Sequence, residues 1–135
     1  MAQEASRVEG PYEVHDFTVS SSTAFPQGTL CEVGDTRTAT VSSGAGTFAG
    51  IVGTEKTATD GSTELGLTRT GVHDIWVTSG AAITAGALVK LSGANMVTGA
   101  VVEADIVAGQ VVGQALESTA EGVWEQIEVD IGRTG

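Results

Sequence analysis

Apolar and polar residues alternate with a period of two through most of this chain, and glycine-rich turns interrupt the alternation at short intervals. Over residues 14–20 the positions His15, Phe17 and Val19 share one face; over residues 72–77 the shared face is His73, Ile75 and Val77. Successive side chains of a strand point to opposite faces, so this alternation predicts half-buried strands. Further strands are predicted at 29–33, around 38–41, at 48–52, 63–69, 87–91, 111–115 and 125–131. No segment carries a helical period of ten residues or more, and the Ala-rich stretch 101–111 has room for a single helical turn.

The pattern occurs twice. Residues 15–33 read HDFTVSSSTAFPQGTLCEV, and fifty-eight positions later residues 73–91 read HDIWVTSGAAITAGALVKL. Seven of the nineteen positions are identical without a gap, among them His15/His73, Asp16/Asp74, Gly28/Gly86 and Leu30/Leu88. An ungapped register of this kind indicates an internal duplication. Downstream, Phe48-Ala49-Gly50-Ile51-Val52 finds its equivalent in Val111-Val112-Gly113-Gln114-Ala115, at an offset of 63. The second copy therefore carries 63 − 58 = 5 extra residues in the preceding loop, where length changes are tolerated. Residues 63–69 then match 125–131, with Leu65 and Leu67 in the places of Ile127 and Val129. The expected fold is all-β: a small barrel or sandwich built from two internally repeated β units with pseudo-twofold symmetry. Closing such a sheet removes its vulnerable edges. The expected organisation is a flexible N-terminal arm over residues 1–13, ended by Gly10-Pro11, and one β domain over 14–135. Its repeat units span 14–70 and 71–131.

Composition agrees with strands and tight turns. Of 135 residues 41% are hydrophobic and 19 are glycine, too apolar for a disordered chain and too turn-rich for a helical one. Charge adds a constraint on partners. Seventeen acids against six bases leave a net charge of −11, which repels nucleic acid and anionic membrane, so neither is expected as a partner. The acid-rich, lysine-poor surface also suits a halophilic source. No apolar run approaches the roughly 18 residues of a membrane span. The first fourteen residues lack an apolar core, so no signal peptide is expected and synthesis is placed in the cytoplasm.

Candidate chemistry is sparse. The His15-Asp16 and His73-Asp74 pairs would offer metal ligands if they converged, but neighbours on a strand point apart, and each His lies in phase with the core. A structural histidine bonded to a carbonyl is the expected role. The cluster from Asp60 to Glu64 lacks the spaced oxygens of a calcium loop and is read as a solvated hairpin around Asp60-Gly61. Lys90, beside the Ser92-Gly93 turn, does not have the flanks of a lipoyl or biotinyl carrier lysine. Cys31 is the lone cysteine, aligned with Val89, and is expected to be buried and inert. No nucleophile elbow, phosphate-cradling loop or metalloprotease helix is present, so no catalytic residue, metal or cofactor is assigned and the chain reads as a non-enzyme.

The tryptophans say more. Trp76 stands out of phase with His73, Ile75 and Val77, and Trp124 out of phase with Val123, Glu125, Ile127, Val129 and Ile131. Large aromatics on the outer face are candidate partner contacts, or alternatively covers for a barrel end in their own chain. In the arm, Arg7, Val8 and Tyr12 are candidate anchors for strand addition to a partner sheet.

The series ITAGALVKLSGANMVTGAVV followed by VVGQALESTAEGVWEQIEVDI resembles the small head-decoration, or capsid cement, proteins of tailed phages and related archaeal viruses. The resemblance covers 83–131 well and 25–67 more weakly. It implies a β-rich structural protein on the outer capsid surface of the virion, in homotrimers that clamp the major capsid protein after shell expansion. The alternative from another class is a receptor- or glycan-binding β domain of a surface fibre or adhesin.

Overall fold

The strands follow the alternation, and most stop where glycine or a short polar run begins. In chain order they are β1 (Ser6–Glu9), β2 (Val14–Thr18), β3 (Leu30–Asp35), β4 (Thr38–Val41), β5 (Thr47–Val52), β6 (Glu64–Thr68), β7 (Thr70–Val77), β8 (Leu88–Leu91), β9 (Met96–Thr98), the helix α1 (Glu103–Val107), β10 (Val111–Ala115) and β11 (Trp124–Asp130). The computed structural model describes residues 4–10, 12–43, 46–77, 83–93, 95–99, 101, 103–107, 109–118 and 124–130. Val123 and Ile131, expected on the core face, lie outside the described residues.

The fold is all-β, and the first unit closes on itself. Strands β2, β4, β3, β5 and β6 form a closed barrel in that neighbour order. The second unit is a sheet of order β1-β7-β11-β10-β8-β9, curled so that β7 also meets β9. Apart from β1, the two units have the same neighbour order, down to a short parallel contact: Thr18 opposite Thr38 in one and Trp76 opposite Met96 in the other.

The duplication extends to individual hydrogen bonds. Gly28 N–H donates to the Val52 carbonyl at 2.9 Å, and Gly86 N–H to the Ala115 carbonyl at 2.8 Å. Val52 N–H donates to Thr29, and Ala115 N–H to Ala87, both at 2.9 Å. Gly28 and Gly86 share a φ of 89°, a left-handed backbone that disfavours any residue with a Cβ. Gly50 lies opposite Cys31 as Gly113 lies opposite Val89. Even the non-glycine residues at positive φ correspond: Arg37 and Asn95, fifty-eight apart, close the equivalent β3–β4 and β8–β9 turns.

One expected correspondence shifts. His15 lies opposite Leu67 and His73 opposite Ile127, so Ile127 is the counterpart of Leu67, not of Leu65. A displacement by two leaves every side chain on its own face, which is why alternation alone does not detect it.

The extra residues of the second copy build α1 and the turn after it. The Gly109 carbonyl accepts Phe48 N–H from the first unit at 3.0 Å. Lys90 Nζ reaches Asp105 Oδ2 of the helix at 2.8 Å, a partly buried ion pair that gives this lysine a structural contact. The core falls into two clusters. Phe17, Phe25, Cys31, Ala49, Val52 and Leu67 fill the first barrel. Ile75, Val89, Leu91, Val112, Ile127 and Val129 fill the second unit, joined there by Ala5, Leu30, Phe48 and Ile51. Leu30 and Ile51 are thus outward-facing residues of the first barrel buried against the second unit.

Where a free arm is expected over residues 1–13, the structure pairs Ser6–Glu9 with β7, Arg7 lying opposite His73. Ala5 N–H donates to the Gly28 carbonyl at 2.8 Å, and Ala5 is buried. The arm thus crosses Gly28 so closely that a Cβ there would strike the Ala5 carbonyl, whereas among the described residues a Cβ on Gly86 meets nothing nearer than Gln114 Nε2 at 3.9 Å. Replacing either glycine by alanine costs about 1–2 kcal/mol for the left-handed backbone. Gly28→Ala should cost a further 1–3 kcal/mol, roughly, for the overlap, and should expose residues 4–10 to protease. Urea unfolding of the two variants tests this, and equal losses would contradict the close crossing.

Candidate functional site

The candidate residues separate onto the two sides of β7. Side chains alternate along this strand, so His73, Ile75 and Val77 are buried while Asp74 and Trp76 are partly exposed on the other face. The antiparallel register with β11 sets Trp124 directly opposite Trp76. Their rings meet edge to face, with centroids 5.2 Å apart and planes at 77°. Such a pair favours the positive edge of one ring against the negative face of the other. Trp124 remains 45% exposed, among the most exposed large apolar side chains described. Met96 lies opposite Trp76 on the neighbouring β9. The two outer-face aromatics thus form one surface feature. Sequence alternation placed each on the outer face; their pairing required the strand register.

On the inner side, the arm residues engage their own chain. Arg7 Nη2 donates to Thr68 Oγ1 at 2.6 Å, and its guanidinium lies 4.6 Å from the Tyr12 ring centroid. Tyr12 in turn meets the His73 ring edge to face at 5.5 Å. Val8, the third candidate of the arm, points to solvent at 41% exposure. Beneath the arm lies a cleft of about 490 Å³ between the two units, lined by Glu4, Arg7, Gln27, Ile51, Val52 and His73.

His73 is 1% exposed. Its Nδ1 lies 3.4 Å from the Gly71 carbonyl, the bond expected of a structural histidine, while Nε2 is buried without a hydrogen-bond partner among the described residues. Burial pushes its pKa down to about 4; the Gly71 carbonyl opposes that shift and the nearby Arg7 charge adds to it. His15, its counterpart, instead pairs at the surface with Glu13, Nε2 to Oε1 at 3.0 Å. The two histidines serve separate units, and among the described residues no group of three or more His, Cys, Asp or Glu could hold a metal.

Two side chains with structural weight were not legible in the pattern. Lys56, 1% exposed, sends Nζ to the carbonyls of Ser21, Thr23 and Thr57 at 3.1, 2.8 and 3.1 Å. Asp60, in the acidic cluster, accepts the amides of Ser62 and Thr57 at 2.9 and 3.1 Å and lies 3.6 Å from Lys56 Nζ. The Ser62 amide foremost holds its carboxyl below the usual range, against a smaller opposing effect of desolvation. Cys31 is buried, as expected, and burial, with Glu32 second, pushes its thiol up to about 12.

The chain matches no family model and no curated protein.

Two titrations follow from these environments. The unfolded chain binds a proton at His73 near pH 6.5, whereas the folded chain resists it down to about pH 4. Stability from the neutral histidine is therefore complete above about 6.5 and is lost as pH falls toward 4, on the order of 3 kcal/mol at the bottom of that window. Denaturant unfolding of His73→Phe beside the parent should show the difference shifting toward the variant as pH falls from 7 to 4; parallel curves would contradict the buried neutral ring. Cys31 should resist a thiol reagent at pH 8 and react only on unfolding, and rapid native labelling would contradict its burial.

Proposed function

We propose that this chain is a structural capsid decoration (cement) protein that binds the outer surface of an icosahedral viral head and stabilises the expanded shell. The observation that carries this reading is the Trp76–Trp124 pair, an aromatic feature with Trp124 45% exposed on a protein of net charge −11. Aromatic residues that pack into a partner's pockets contribute disproportionately to binding energy, while an acidic exterior keeps free copies apart. The resemblance over 83–131 supplies the partner, the major capsid protein, and the assembly, a homotrimer at local threefold positions. Such a clip needs no cofactor: binding that is available only on the expanded shell stabilises that state by mass action.

Co-sedimentation tests the proposal, using expanded and unexpanded shells assembled from the major capsid protein of a tailed virus. The protein should pellet with expanded shells and not with unexpanded ones, and Trp124→Ala should weaken binding about tenfold or more. Equal binding to both shell forms, or full binding by a Trp76→Ala/Trp124→Ala double variant, would sink the proposal. Tryptophan fluorescence that responds to sugars but not to shells would return the glycan-binding alternative.

A further inference from the structure

The two units carry the same acceptor edge, and among the described residues a strand occupies it in one of them. Residues Val14-His15-Asp16 of β2 are identical to Val72-His73-Asp74 of β7, at the same offset of fifty-eight. On β7 this edge takes β1, with Ser6 opposite Asp74, Arg7 opposite His73 and Glu9 opposite Val72. Further along the same edge β9 pairs in parallel at Trp76. On β2 the corresponding parallel contact is present, Thr18 to Thr38, and β6 occupies the other edge. Among the described residues, no strand pairs with β2 where β1 would lie. Val14 there is 52% exposed, whereas Val72 is buried at 6%.

An open strand edge offers unpaired amides and carbonyls to any extended chain. Here it has a partial cover: Arg37 donates from Nε and Nη2 to the Asp16 carbonyl, at 3.2 and 2.6 Å. Arg37 is itself exposed, so displacing it uncovers the acceptor at the loss of its contact over the Phe17 ring, 5.6 Å from its guanidinium. Its counterpart Asn95 points elsewhere, into the first unit, and leaves the β7 edge to β1.

We propose that the β2 edge at Val14–Asp16 is a strand-acceptor site for an extended segment of another protein. That segment adds antiparallel to β2 and carries a basic residue opposite His15. The occupied copy supplies the template, since the same three residues already accept a strand with arginine opposite the histidine. Charge supplies the selectivity: the Glu13 carboxylate lies 3.0 Å from His15 Nε2, where it would meet the incoming cation. The chain's own arm is committed to β7, so the occupant comes from a different protein. This inference does not depend on the capsid reading.

The probe is a synthetic peptide with the sequence of residues 4–10, EASRVEG, titrated to about 5 mM into isotope-labelled full-length protein and followed by amide NMR. Saturable shifts at Val14 and Asp16 are expected, weakened about fivefold or more when the peptide's arginine is replaced by glutamate. Val14→Pro removes an edge amide at the first position of the strand, where proline is tolerated, and should abolish those shifts. Glu13→Lys, which leaves the backbone alone, should weaken them about fivefold. Shifts confined to residues 72–74, or none at the highest concentration, would overturn the proposal. Self-association of the full chain through β2 without peptide would overturn the assignment to a different protein.

Discussion

Strand β5 and the start of β3 are buried on both faces, and the relation between the units rests on that double burial. Cys31, Ala49 and Val52 point into the barrel, while Leu30, Phe48 and Ile51 on the same strands join the core of the second unit. Each of the three larger side chains contributes roughly 1.5–3 kcal/mol by leaving water. A strand covered on both sides must also find partners for backbone groups that fall outside its ladder, because a buried unpaired amide is costly. The second unit supplies them. Asn95 Oδ1 accepts Leu30 N–H at 2.8 Å, Asn95 N–H donates to Ser42 Oγ at 3.2 Å, and Ser42 Oγ donates to the Gly93 carbonyl at 3.0 Å. Asn95 does this from a backbone of φ 61°, which asparagine tolerates better than most residues.

Around that junction, two buried basic side chains are accommodated in opposite ways. Lys56 sits in the long connection between β5 and β6, which has little apolar surface to hold it down. Three carbonyls converge on its Nζ, and its own backbone pairs with Phe25, so one side chain fastens two loops. His73 is offered one long bond to a carbonyl and an aromatic edge, and it is kept neutral. The first arrangement satisfies a donor-rich group; the second excludes a charge. Both depend on chain segments far apart in sequence.

The outside of the molecule reflects the same asymmetry between units. One copy of the Val-His-Asp edge is covered by the arm and the other by a single exposed arginine side chain, and the tryptophan pair belongs to the second unit alone. Thr18 occupies the position of Trp76 in the first unit, so duplication produced two scaffolds and later divergence placed the aromatic surface on one of them. If recognition runs through the tryptophan pair and the β2 edge, as proposed above, it relies on short-range contact, because a net charge of −11 repels anionic surfaces before contact is made.

Much of this was legible in one dimension. The period of two located most strands within a residue or two, and the ungapped repeat revealed two equivalent units, the matched turns at Gly28 and Gly86 and the insertion that became α1. These are local properties: alternation, turn chemistry and length need only neighbouring residues. Alternation also placed Trp76 and Trp124 on the outer face, but not against each other, because cross-strand partners are set by register. It could not separate Leu65 from Leu67 as the counterpart of Ile127, because a shift by two preserves the face. Nor did it show that Ser6–Glu9 would find a strand, since a short polar segment pairs only where an edge is offered. What the tertiary structure alone decided was which edges were covered, which faces were buried twice and which buried amides and carbonyls needed Asn95 and Lys56. Each of these depends on groups brought together from distant parts of the chain, and no local pattern records such a meeting.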